Sequence, residues 1–94
     1  MDIKNLTTFL NAAELGGFTR AAEKLGYSQS TVSFHIRQLE DELHTQLFER
    51  VGHTVSLTEK GREVLKYAHE ISRLTEELQD SMRGEGTLRG CVRV

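Results

Sequence analysis

In the opening segment DIKNLTTFLNAAEL, the apolar residues Ile3, Leu6, Phe9, Leu10 and Ala13 recur three and four positions apart. That spacing predicts a helix with one buried stripe. Asp2 can cap it, and Gly16-Gly17 stops it, because glycine takes the left-handed conformation after a helix without penalty. A second, short helix is predicted over TRAAEKL, with Thr19 as N-cap and Gly26 just past its end. Ala21 and Ala22 are small enough to let another helix approach closely, while Phe18 and Leu25 hold the ends in the core. A third helix begins near Ser28 and ends near Leu43 or His44. Val32, Ile36, Leu39 and Leu43 line its apolar face, and Ser30, Phe34, Arg37 and Asp41 fall near the opposite one. Gln29, Thr31, Ser33, His35 and Gln38 lie between the two.

The period changes in LFERVGHTVSLT. Phe48, Val51, Val55 and Leu57, with β-branched neighbours, suggest two short strands, and Gly52 sits at the turn of a hairpin. From Thr58 a long helix is predicted to about Arg83, capped by Ser56 in a capping box with Glu59, or equally by Thr58. Within it Val64, Ala68, Ile71, Thr75, Leu78 and Met82 alternate four and three residues apart, a coiled-coil-like seam containing one threonine. The seam fits either packing within the chain or a dimer interface. Because the first three helices can supply each other's cores, the dimer is the better use; parallel and antiparallel pairing both remain open. The tail GEGTLRGCVRV ends the helix with glycines, and LRGCVRV reads as a strand without a partner. The expected fold is mainly α, in three parts: residues 1–57, a long helix over 58–84, and 85–94 as the start of a further domain in a longer protein.

Composition narrows the function. Ninety-four residues, 37% hydrophobic and 28% charged, describe a small globular unit with a modest core, and the lack of proline permits long helices. The single cysteine, Cys91, cannot form an internal disulfide, which points to a reducing cytosol. No signal peptide or membrane-spanning run is legible. Twelve Lys plus Arg against fourteen Asp plus Glu give a net charge of −2, which argues against a non-specific polyanion binder but leaves a sequence-specific one open. An enzyme is not expected. His35, His44, His53 and His69 lack metal-ligand spacing, Cys91 has no base beside it, and Glu40, Asp41 and Glu42 diverge around their helix. No metal or cofactor is expected.

The second helix, a turn at Gly26 and the third helix form a helix-turn-helix pattern, in which the start of the second member faces base edges in the major groove. Gln29 can pair with an adenine edge, Ser30, Thr31 and Ser33 can serve bases or phosphates, and Arg37 can reach phosphate or guanine. His35 joins Arg37 as a candidate phosphate or minor-groove contact. The helix start also offers free N–H groups and a positive dipole end. Phe34 has two uses of equal weight: packing on a thymine methyl or sugar, or folding back onto a neighbouring element. Arg50, His53 and Thr54 would sit on or beside the hairpin, as a wing touching backbone or minor groove. Lys60 and Arg62, at the start of the long helix, hint at a phosphate contact, with a solvated face as the default reading.

The run GGFTRAAEKLGYSQSTVSFHIRQLEDEL, followed by LFER and LTEKG, resembles the N-terminal domain of LysR-type transcriptional regulators over nearly the whole chain. The resemblance implies a winged helix-turn-helix and a linker helix that pairs two subunits. It also implies an effector-binding domain beyond this chain, with LRGCVRV as its first strand. It places Gln29, Ser30, Thr31, Ser33, Phe34 and the wing around Arg50 and His53 against DNA, with Thr19 as a phosphate contact. The implied protein is a cytoplasmic, nucleoid-associated homodimer, or a higher oligomer at full length, and any small-molecule effector would bind the absent domain. Two positions depart from the family pattern: His44 stands where a glycine is usual, and His53 where an arginine is usual. The rival reading is a protein-binding winged helix or coiled-coil adaptor. That role would need a contiguous apolar patch on the outer face of the third helix, which is polar apart from Phe34.

Overall fold

A computed structural model of the protein describes residues 1–51 and 54–85. The elements run α1 (Ile3–Leu15), α2 (Phe18–Leu25), α3 (Gln29–Leu43), β1 (Phe48–Val51), β2 (Thr54–Leu57) and α4 (Glu59–Glu85). Gly52, His53, Cys91 and the strand expected in LRGCVRV lie outside the described residues.

The helix ends follow from local chemistry. The Asp2 carboxylate accepts from the Lys4 N–H at 2.9 Å, and Gly16 closes α1 in the left-handed region at φ 76°. Gly26 ends α2 in the same way. The expected cap of α2 is corrected: Gly17 stands at the N-cap without a side-chain hydrogen bond, and Thr19 falls inside the first turn. Starting the helix at Phe18 turns that ring into the core, where it meets Phe48 edge-on at 5.3 Å. Ser28 caps α3, its hydroxyl accepting from the Thr31 N–H at 3.1 Å. Of the two candidate caps for α4, Thr58 takes the role: its Oγ1 accepts from the Gly61 N–H at 2.9 Å and donates to the Gln46 carbonyl at 2.7 Å.

The hairpin is antiparallel, pairing Phe48 with Leu57, Glu49 with Ser56, Arg50 with Val55 and Val51 with Thr54. Strand alternation puts Phe48 and Arg50 on one side of β1. Phe48 wedges between Phe9 and Phe18, with ring centroids 5.5 and 5.3 Å away. That aromatic ladder fixes the hairpin against the helices.

The core is built from Leu6, Phe9, Leu10 and Ala12 of α1, Phe18, Ala21 and Ala22 of α2, and Val32, Ile36 and Leu39 of α3, closed by Leu47 and Phe48. Ala68 of α4 joins it at 0% exposure. This corrects the expectation that the first three helices complete each other's cores. The first half of α4 packs on α1, with Val64, Leu65 and Ile71 half-buried there. Ala68 therefore serves the chain's own core and has no surface to offer a second subunit. Two polar side chains are buried on α1 as well. Asn5 donates to Gln38 Oε1 at 3.1 Å, and Thr8 Oγ1 lies 2.9 Å from His35 Nδ1. Both bonds tie α1 to α3.

Candidate nucleic-acid interface

The start of α3 leaves its donors outward. Ser28 occupies the Thr31 N–H and, at 2.9 Å, its hydroxyl, so Thr31 is the hydroxyl residue already engaged within the chain. Gln29 and Ser30 are exposed and Ser33 is half-buried. Among the described residues, none of the three side chains has a hydrogen-bond partner. Phe34, at 56% exposure, stands out from α3 instead of folding onto a neighbouring element.

These side chains share one depression. Gln29, Ser30, Ser33, Phe34 and Arg37 of α3, with Arg50 of β1, line an open groove of about 360 Å³. The lining holds two guanidinium groups and no carboxylate, so the groove attracts an anion locally although the net charge is −2. The α3 dipole adds partial positive charge at the same end. Carboxylates stand beside the groove, next to Arg37 and Arg50, but do not line it. Glu40 accepts from the Leu47 N–H at 2.8 Å, and Glu42 lies 3.6 Å from the Met1 amine. Glu40 and Glu49 line an adjoining hollow of about 430 Å³ between α3 and the hairpin.

Arg50 is held in a particular way. Its Cζ lies 5.1 Å from the centroid of the Phe18 ring, which it covers. Among the described residues no carboxylate pairs with Arg50, and an aromatic face takes the place of the partner that surface arginines commonly find. Spacing arguments place Phe18 only in the core; the contact becomes visible once β1 is seen to cross the start of α2. Thr19, exposed, is the next residue along.

Not every candidate joins the groove. His35 turns toward α1, bonded to Thr8 and edge-on to Tyr27 at 5.2 Å, and does not line the groove. Thr54 opens β2, while His53 lies outside the described residues. Lys60 lies 3.8 Å from Glu63, and Arg62 donates to the Leu57 carbonyl at 3.3 Å, so both have local partners. Among the described residues no group of three or more His, Cys, Asp or Glu is placed to hold a metal, and no described helix is long and apolar enough to cross a membrane.

The second half of α4 presents a different surface. Leu74, Leu78 and Met82 are 53%, 60% and 64% exposed, and Tyr67 joins them at 64%. Thr75 is half-buried, its hydroxyl donating to the Ile71 carbonyl at 2.8 Å. The predicted seam therefore divides: Val64, Ala68 and Ile71 face α1, whereas Leu78 and Met82 face outward. Leu74 and Tyr67 lie off the seam and were missed by reading it alone.

A family model described as bacterial regulatory helix-turn-helix protein, lysR family, matches residues 3–62, which hold the helix-turn-helix and the hairpin. The chain belongs to the lysR family. It is 39% identical over 94 residues to an uncharacterized HTH-type transcriptional regulator, YfiE, of Escherichia coli (strain K12), covering 100% of this chain and 32% of that protein. It is 41% identical over 95 residues to the RuBisCO operon transcriptional regulator of Allochromatium vinosum, with the same coverage of 100% and 32%. The lysR-family chain thus spans about a third of the length of the curated relatives it matches. Among solved structures, the BenM_DBD/catB site 1 DNA complex superposes with a TM-score of 0.88 at 29% identity, covering 96% of this chain and 100% of that one. The CbnR_DBD–DNA complex does so with a TM-score of 0.84 at 30% identity, covering 92% and 99%. Membership and the two superposed domains give this lysR-family chain a winged helix-turn-helix fold.

Proposed function

We propose that this chain binds double-stranded DNA sequence-specifically as a homodimer, regulating transcription at an interrupted palindromic operator. The observation that carries the proposal is the groove in which Gln29, Ser30, Ser33, Phe34, Arg37 and Arg50 converge without an acidic side chain. Such a surface combines base-reading amides and hydroxyls with phosphate-seeking guanidinium groups. The start of α3 enters the major groove. Gln29 reads an adenine edge, Ser30 and Ser33 contact bases or phosphate, and Phe34 packs on a thymine methyl or a sugar. Arg37, Thr19 and the free N–H groups at the helix start hold the backbone. Arg50 reaches from the hairpin to the adjacent backbone or minor groove, with His53 and Thr54 beside it. That similar domains were solved as DNA complexes supports this reading.

Residues 1–57 are the reading head, and the outward half of α4 pairs two subunits through Leu78 and Met82, extended by Leu74 and Tyr67. Two-fold pairing sets two reading heads on two half-sites, hence the palindrome. Higher assembly and response to a small-molecule effector belong to the remaining two-thirds of the relatives' length. The site of action is the cytoplasmic nucleoid.

Binding to matched and single-substituted duplexes, at stated salt, tests the reading head. Gln29→Ala is expected to relax discrimination at one base pair by about 1–3 kcal/mol while binding elsewhere in the site is unchanged. Equal weakening on all sequences would assign Gln29 to the phosphate backbone instead.

A further inference from the structure

Arg50 is an exposed side chain on a four-residue strand, and such a group ordinarily samples many rotamers. In this protein one of them is favoured. β1 is locked by Phe48, whose ring is wedged between Phe9 and Phe18, and Arg50 follows two residues later on the same side. Its guanidinium therefore lands over the Phe18 ring, 5.1 Å from the centroid. Attraction to the π face uses no acceptor, so the N–H groups of Arg50 stay available to a ligand. A carboxylate partner would consume those donors and cancel the charge. Two carboxylates, Glu40 and Glu49, are near enough to line the adjoining hollow with Arg50, so the ring competes with them for the guanidinium.

We infer that Phe18 is a positioning residue for DNA binding: its ring face holds the Arg50 guanidinium in the groove beside Gln29, Ser30 and Arg37. The inference rests on the proposed function, in which that groove receives DNA. Pre-ordering the arginine removes part of the entropy lost when it is fixed on the nucleic acid. Phe18, only 6% exposed, thus acts on the ligand without touching it.

The test is a double-mutant cycle on the 94-residue chain, using a labelled duplex recovered by the wild-type protein from a random-sequence pool. Affinity is measured across a salt series for wild type, Phe18→Leu, Arg50→Gln and the double variant. Arg50→Gln is expected to weaken binding and lower the salt slope by about one. Phe18→Leu is expected to weaken binding roughly two- to fivefold and to shift the slope in the same direction. In the Arg50→Gln background Phe18→Leu is expected to change nothing further. A second variant guards against loss of fold: trifluorophenylalanine at position 18 keeps the ring's shape and removes its attraction for a cation, and it should reproduce the Phe18→Leu loss. Equal losses from Phe18→Leu with and without Arg50, or an unaltered affinity with the fluorinated ring, would overturn the positioning role while leaving DNA binding intact. An Arg50→Gln variant that binds as wild type would remove Arg50 from the DNA contacts, and the platform role with it. Failure of the wild type to recover any duplex would overturn the DNA-binding reading itself.

Discussion

His44 bears a cost that the rest of its helix end does not. It follows α3 at φ 55° and ψ 41°, left-handed backbone that disfavours a residue with a Cβ, while Gly16 and Gly26 occupy the equivalent positions after α1 and α2. His44→Gly is expected to stabilise the fold by roughly 0.5–1 kcal/mol, read as a rise in the midpoint of thermal unfolding. An unchanged or lower midpoint would mean that the imidazole makes compensating contacts. Most of the groove was legible at this scale. Helical arithmetic puts Ser30, Phe34 and Arg37 on the side of α3 away from Val32 with Ser33 on its flank, and they meet in the groove. His35 was not legible in the same way. It lies about 60° from Val32 around the helix, at the edge of the apolar stripe. What draws it inward is Thr8, a polar residue buried at 0% exposure that no hydrophobic pattern marks as core.

The approach of α4 to the segment before the hairpin depends on Gly61. A Cβ there would stand 2.2 Å from the Leu47 carbonyl oxygen and 3.0 Å from Leu57 Cδ2. The first of these is backbone and cannot rotate aside, and Leu47 is itself fixed by the Thr58 N–H bonded to its carbonyl at 3.0 Å. Gly61→Ala is therefore expected to destabilise the protein by about 1–3 kcal/mol in denaturant unfolding, even though alanine favours helix. A neutral or stabilising result would show that α4 can move off Leu47 freely. All four helices and the hairpin could be read from periodicity, glycines and caps. The destination of α4 could not, because a stripe spaced by three and four residues looks the same whether it meets α1 or another subunit. The packing decides: α1 takes Val64, Ala68 and Ile71, and the stripe is left uncovered at Leu78 and Met82.

Among the described residues, the two candidate binding surfaces lie on separate elements. The guanidinium-lined groove is formed by α3 and β1, and the exposed leucines and methionine lie on the second half of α4. On the proposed reading these are the DNA-binding and pairing surfaces of one subunit. Leu78, 60% exposed, can be changed without opening the core. Leu78→Asp is expected to shift the protein from dimer to monomer in sedimentation equilibrium while its helical circular dichroism is retained, and to weaken binding to a two-half-site duplex. A variant that still sediments as a dimer would take the outward face of α4 out of the interface. The central claim, that paired reading heads recognise a defined sequence, is tested most directly by selecting bound duplexes from a random-sequence pool at physiological salt. The account predicts enrichment of an inverted repeat whose half-sites lie one or more helical turns apart. Enrichment of a single unrepeated site, or recovery of the pool without sequence preference, would contradict it.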